Sequence, residues 1–430
     1  MLLRIQERLM EEVDCRKNEI IQFLQELVRI PSFLGQERDI QAFIGEKLRD
    51  MKMDVDMWEP DLDALKKDPW FTDYPLLDKV GYQGRPVMVA VSKGSGNGRS
   101  LMLQGHVDVM PPGEVPWKYD PWSGAIDGNR LYGRGTSDMK GGVAAMIMAL
   151  DCFHRAGFRL KGDVLIETVI DEEIAPNSAL ACALKGYRAD AAIITEPTEC
   201  KIAAACGGYV RTRVRVRGKT AHASVRHEGV CAIEKGMKIY QAIRDLEAHR
   251  EQEASHPAFD RREYPFLVPL NVGVFDAGTS TGFVADEARL ECTVRFLPGE
   301  DPDQIYKEFS DHLRKAAELD PWMRDHLPQV EMMGPACAAS EIPIDHPIIE
   351  SLKSCLKAVT GSEPRVIGIP MGTEQSIIVK RAKTPCAVFG PGSPRMAHMT
   401  DECLGPIEDL IVAVKTLALT LADWCGIESS

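Results

Sequence analysis

Val164-Leu165-Ile166-Glu167-Thr168-Val169-Ile170-Asp171-Glu172-Glu173 is a short, mostly apolar run that ends abruptly in three acids. The run has no strict two-residue alternation, so it reads as a strand covered on both faces, and such strands belong to parallel sheets flanked by helices. The same pattern recurs at Val87 to Val91, Leu101 to Leu103, Ala191 to Ile194 and Ala387 to Phe389. Between these runs lie apolar residues at helical spacing: Ile20, Phe23, Leu24, Leu27 and Val28, then Ile40, Phe43, Ile44, Leu48 and Met51. Gly141 to Phe153, rich in Ala, Met and Ile, reads as a buried helix. Strands alternating with helices in this way predict an α/β fold, a mainly parallel sheet covered by helices.

From about Gly207 the period changes. Val210, Thr212, Val214 and Val216 alternate with Arg211, Arg213, Arg215 and Arg217, a two-residue period that gives a strand one wet face. A helix from about Ala232 to Arg250 follows. Then come strands near Leu270 to Phe275 and Arg289 to Phe296, a helix from about Pro302 to Leu319 and a short run near Val330. The order βαββαβ predicts a ferredoxin-like unit. The α/β pattern then resumes with a helix over Pro347 to Val359, an apolar stretch over Ser376 to Val379 and a last helix from about Ile407 to Trp424, so the unit reads as an insertion rather than a terminal domain. The expected division is 1–206 and 326–430 for one catalytic domain and 207–325 for the insert. A chain of 430 residues suits two domains.

Composition narrows the partners. Apolar residues make up 44% and charged residues 27%, as in an ordinary globular protein. A net charge of −13 argues against a nucleic-acid or anionic-membrane partner, since both call for a basic surface. No apolar run approaches the ~20 residues of a membrane span. Arg4, Glu7, Arg8, Glu11 and Glu12 do not suit a secretory signal. The 12 cysteines are scattered with no Cys-x-x-Cys pair, which reads as free thiols in a reducing cytoplasm rather than a cysteine-ligated metal.

Polar clusters follow the predicted strands: Gly105-His106-Val107-Asp108, Asp171-Glu172-Glu173, Thr195-Glu196-Pro197-Thr198, and Gly390-Pro391-Gly392 followed by His398. A glycine-rich loop, Gly133 to Gly142 with Asp138 near its centre, opens the buried helix. Ligands of open α/β sheets gather outside the carboxyl ends of the strands. Imidazoles and carboxylates together there suit zinc, and two cations ~3.5–4 Å apart need a shared carboxylate and a few terminal ligands each. His106 and His398 can each give a nitrogen to one metal, Asp138 can bridge, and Glu173 and Glu196 can each serve one metal. Asp108, two residues beyond His106, can accept the other imidazole N–H and so fix the tautomer. Glu172 stays free as a proton carrier.

The segments GHVDV, GRGTSDMKGG, IDEE, TEPT and GPG…AHMTDE resemble, in order and across about residues 80 to 405, the five signature segments of the dizinc deacylase/peptidase family. That family includes acetylornithine deacetylase, succinyl-diaminopimelate desuccinylase, aminoacylase and glutamate carboxypeptidase. The resemblance implies a zinc-peptidase-like catalytic domain, two Zn2+ per subunit (Co2+ or Mn2+ as substitutes) and hydrolysis of the amide bond of a small N-acyl amino compound. It implies that His106 and Glu196 hold one zinc, Glu173 and His398 the other, and that Asp138 bridges. Glu172 is then the general base and Asp108 the acid that orients His106, and the peptide after Asp138 is expected to be cis. The insert is implied to form a homodimer, across which His222, in the segment Gly218 to Ser224, reaches the partner's site to stabilise the tetrahedral intermediate. Arg295 resembles the arginine that grips a substrate carboxylate.

Departures concern the substrate. Thr281-Gly282-Phe283-Val284 stands where relatives often carry an asparagine before a Val-Ile-Pro-like stretch, and Met371-Gly372-Thr373-Glu374-Gln375 where they often carry Gly-Gly-Thr-Asp with an arginine nearby. A dipeptidase or carboxypeptidase using the same centre is the rival expectation. A non-enzymatic protein on a retired hydrolase fold is the reading from another class.

Overall fold

The computed structural model describes residues 2–74 and 76–428. It divides into two compact units, one comprising Met1–Ala204, Glu341–Ile367 and Thr373–Ser430, the other Ala205–Ser340 and Gly368–Gly372.

The first unit is built on a mixed sheet. Its four central strands, Val164–Val169, Leu101–His106, Ala191–Ile194 and Cys386–Val388, lie side by side and run parallel. Antiparallel strands flank them: Val87–Ser92 and Asp54–Trp58 on one side, Ile202–Cys206 on the other. The long apolar runs correspond to burial, since every residue of Leu101–His106, Val164–Val169 and Ala191–Ile194 is buried. The helix Gly141–Arg155 is buried on every face from Gly141 to Phe153 and packs against the last helix, Glu408–Cys425. Its first turn presses on a strand end: a Cβ at Gly142 would lie 1.9 Å from the Thr195 carbonyl oxygen, so only glycine allows this approach. A small antiparallel sheet, Cys403–Leu404, Arg130–Tyr132 and Ala125–Asp127, was not anticipated; its strands are too short for a readable period.

The second unit has the order βαββαβ. Its antiparallel sheet runs Leu270–Ala277, Glu287–Phe296, Gly208–Arg217, Gln329–Met332, with the helices Ala232–Glu253 and Pro302–Glu318. In Gly208–Arg217 the valines are buried and the arginines half-buried or exposed. Arg213 pairs with Glu291 and Glu331, and Arg215 with Glu287, so the arginine row is a charge-paired outer face. Asp301 caps the second helix through the amides of Asp303 and Gln304, Pro302 opens it, and Ile305, Phe309, Leu313 and Ala317 bury one stripe. The expected boundary at 325 is corrected to Ser340: Gln329–Met332 pairs with Gly208–Arg217, and the short return Gly368–Gly372 also belongs to this unit.

Candidate metal centre

The carboxyl ends of the parallel strands carry the predicted cluster. His106 is the last residue of Leu101–His106, Glu172 and Glu173 follow Val164–Val169, and Glu196 follows Ala191–Ile194. Asp138 sits in the irregular turn before Gly141–Arg155, and its peptide to Met139 is cis. His398 lies in the loop after Cys386–Val388, with its side chain 49% exposed.

Two groups of three form around one carboxylate. His106, Asp138 and Glu196 each bring a donor atom within 4.8 Å of the others, and so do Asp138, Glu173 and His398. His106 Nε2 is 3.1 Å from Asp138 Oδ1 and 3.7 Å from Glu196 Oε1. His398 Nε2 is 2.7 Å from Glu173 Oε2 and 3.5 Å from Asp138 Oδ2. The two oxygens of Asp138 therefore face different histidines. Glu172 belongs to neither of these, its Oε2 lying 3.9 Å from His106 Nε2; it makes a third, all-carboxylate group with Glu196 and Glu374 that does not include Asp138.

The neighbours of His106 refine one expectation. Its Nδ1 lies 2.9 Å from the backbone oxygen of Asp108 and 3.4 Å from the carboxylate Oδ1. The carbonyl two residues on is the nearer acceptor, and the carboxylate turns its Oδ2 to the Glu173 amide at 3.1 Å. Asp108 thus links the histidine to the acidic turn.

Two supporting residues carry no sequence-derived role. Glu402 is fully buried; its Oε1 accepts from the amides of Ser137 and Asp138, and its Oε2 from Arg134 at 2.6 Å. Glu374, also fully buried, accepts from Gln104 Nε2 at 3.0 Å and comes within 4.8 Å of donor atoms on Glu172 and Glu196. Glu402 lies in a recognised segment, AHMTDE, and that was its available signal. Glu374 was legible only as a departure from the usual Gly-Gly-Thr-Asp.

The electrostatics call for cations. Burial, then Glu374, holds Glu172 well above the usual carboxylate range. Burial, then Asp138, does the same for Glu196 and pushes Glu173 up to about 7. Burial alone would lower the His106 pKa, yet its bonds to Asp108 and Asp138 win and raise it. Buried carboxylates this close are costly without compensating positive charge. Glu173 Oε1 and Glu374 Oε2 are buried without a hydrogen-bond partner. The donor set, oxygen and imidazole nitrogen, fits a pair of divalent cations.

The sequence profile of peptidase family M20/M25/M40 matches residues 102–423. The chain belongs to this family. M20 enzymes are hydrolases of amide bonds, and the chain is such a hydrolase; the family is dinuclear metal binding. Among curated relatives, N-formyl-4-amino-5-aminomethyl-2-methylpyrimidine deformylase of Halalkalibacterium halodurans is 30% identical over 100% of this chain and 99% of its own length. Acetylornithine deacetylase of Myxococcus xanthus is 29% identical over 82% of this chain and 87% of its own. A di-peptidase of Saccharomyces cerevisiae shares the fold at a TM-score of 0.74 and 16% identity, covering 98% of each chain.

The two predicted residues outside the centre lie in the second unit. His222 precedes the 3-10 turn Ala223–Glu228, is exposed, and accepts from the Ser224 amide through Nδ1 at 3.2 Å. Arg295 donates to the Pro370 carbonyl at 3.0 Å and stands over the Tyr209 ring; burial holds its guanidinium below its ordinary range. Among the described residues, no helix is long and apolar enough to cross a membrane.

Proposed function

We propose that this hydrolase is an N-deacylase that removes a formyl or other small acyl group from a primary amine, with two zinc ions per subunit, Co2+ or Mn2+ serving as substitutes. The observation that carries the reading is the pair of ligand groups sharing Asp138, with Glu172 beside them and in neither. His106 and Glu196 would hold one ion, Glu173 and His398 the other, and Asp138 both. When bound, the ions supply Lewis acidity that makes a water acidic and polarises the amide carbonyl.

The chain's own groups do the rest. Glu172 takes the proton of the attacking water and returns it to the leaving amine. Asp108 keeps the His106 ring oriented through the Nδ1–H. Glu402 holds the backbone before the turn by accepting hydrogen bonds from the amides of Ser137 and Asp138. We place His222 across a homodimer interface, at the partner's developing oxyanion, and Arg295 at a substrate carboxylate. Twelve free cysteines suit a cytoplasmic enzyme.

The deformylase relative spans the full chain, which supports a deacylase over a peptidase. A half-buried Arg295 keeps substrates with a carboxylate, N-acyl amino acids or C-terminal peptides, in the comparison. The test is a turnover screen of the zinc-loaded protein on N-formyl, N-acetyl and N-succinyl amino acids, an N-formyl aminomethylpyrimidine, and dipeptides. Faster turnover of an N-acyl amine is expected. Dipeptides as the only substrates would overturn the deacylase reading.

A further inference from the structure

Asp54–Trp58 and Val87–Ser92 are antiparallel neighbours, a pairing that ~2–5 loop residues suffice to connect. Here residues 59–86 intervene. Among its described residues the segment carries only the one-turn helices Leu62–Leu65 and Leu77–Val80, and long connections with little secondary structure are functional or linker segments. This one is tied back to the unit along its length. Arg381 binds Asp68 at 2.9 Å, and the backbone of Thr72 makes two bonds with the Asn177 side chain at 2.9 and 2.8 Å. The Tyr82 hydroxyl donates to Asp171 Oδ2 at 2.6 Å. Beyond it, Arg85 forms a buried pair with Glu37.

Asp171 opens the acidic turn. It has φ of 62°, a left-handed conformation that side chains other than glycine rarely adopt. Its carbonyl accepts from Ala175 at 2.7 Å, its Oδ1 from the Ser178 amide at 3.3 Å, and its Oδ2 from Tyr82. Both Tyr82 and Asp171 are buried. The next residue is Glu172, and the one after, Glu173, is held from the other side by Asp108.

We propose that the described residues 59–74 and 76–86 form a strap that sets the acidic turn, and that Tyr82 is a positioning residue, acting through Asp171 on where Glu172 points. The proposal rests on Glu172 being the base. A misplacement of about 1 Å at such a group slows turnover by up to ~10²-fold, and removal of supporting bonds around metal sites typically costs 10–100-fold.

The test compares Tyr82→Phe with Tyr187→Phe in the full zinc-loaded chain. Tyr187 makes an equally short bond, 2.6 Å to Asp56, away from the acidic turn. Both variants lose one tyrosine–aspartate bond, buried at Tyr82 and part-buried at Tyr187, so the deciding readout is kcat against KM at unchanged zinc content rather than stability. Tyr82→Phe is expected to lower kcat about tenfold with KM within about twofold and zinc content unchanged, while Tyr187→Phe keeps wild-type kcat. Asp171→Asn is expected to slow turnover similarly, and the double variant no further than the slower single one. Unchanged kcat in Tyr82→Phe, a loss carried in KM, or independent multiplication of the two effects overturns the proposal. If no panel substrate is turned over, the visible absorption of the cobalt-loaded chain decides: a change in Tyr82→Phe alone supports the strap, and identical spectra overturn it. Glu172→Gln is assayed in parallel, so that failure of the base assignment, read as full activity there, is told apart from failure of the strap, read in Tyr82→Phe.

Discussion

His398 Nε2 and Glu173 Oε2 stand 2.7 Å apart, though one follows Cys386–Val388 and the other Val164–Val169. With Asp138 they make one of the two groups. His398→Ala is expected to leave the chain folded and to reduce bound zinc from two ions to one, because the His106 group stays complete. Metal analysis after dialysis checks this. Two ions retained in His398→Ala would remove His398 from the ligand set.

Glu172 belongs to neither of those groups, and its neutral isostere separates holding a metal from moving a proton. Glu172→Gln is expected to keep both ions and lose ~10²-fold or more in kcat. Steady-state kinetics beside metal analysis reads both quantities. Loss of a metal instead would make Glu172 a ligand.

Arg295 distinguishes substrate classes. Arg295→Met is expected to raise KM for N-acyl amino acids about tenfold or more, the scale of losing a charge-assisted bond, and to leave KM for a neutral N-formyl amine nearly unchanged. Equal effects on both would show that the guanidinium supports the fold through Pro370 and not the substrate.

Glu167 supplies a pH dependence. It is fully buried, and burial, then Glu374, pushes its pKa up to about 8 from 4.5. The folded state therefore binds more protons than the unfolded state between those values, so this group's contribution weakens folding as pH rises from about 4.5 to about 8. Glu167→Gln removes that dependence. Its stability relative to wild type is expected to grow across this window, by up to ~1.4 kcal/mol per pH unit, in urea unfolding of the two proteins. A constant difference would show that the carboxyl is already ionised at low pH.

The clustering of the candidate residues was legible because they end apolar runs that read as buried strands: His106, Glu172, Glu173 and Glu196 stand where such strands release the chain. The second unit was legible from the valine–arginine alternation of Gly208–Arg217. Other features depend on contacts between segments that local pattern does not encode. Glu374 and Gln104 meet across 270 positions, and Glu402 reaches Asp138 across 264. Tyr82 and Asp171 meet across 89. The acceptor for His106 Nδ1 is a backbone carbonyl, a group every residue carries. The boundary at 325 fell short of a run near Val330 that the insert's order already included; the pairing of Gln329–Met332 with Gly208–Arg217 carries the unit on to Ser340.

The most direct measurement is the divalent-metal content of the purified chain after zinc loading and dialysis, wild type beside Asp138→Ala. Two ions per wild-type chain are expected, and one or none in the variant, because both groups lose their shared carboxylate. A wild-type chain that retains no ion, or an Asp138→Ala chain that still holds two as tightly, would contradict the account.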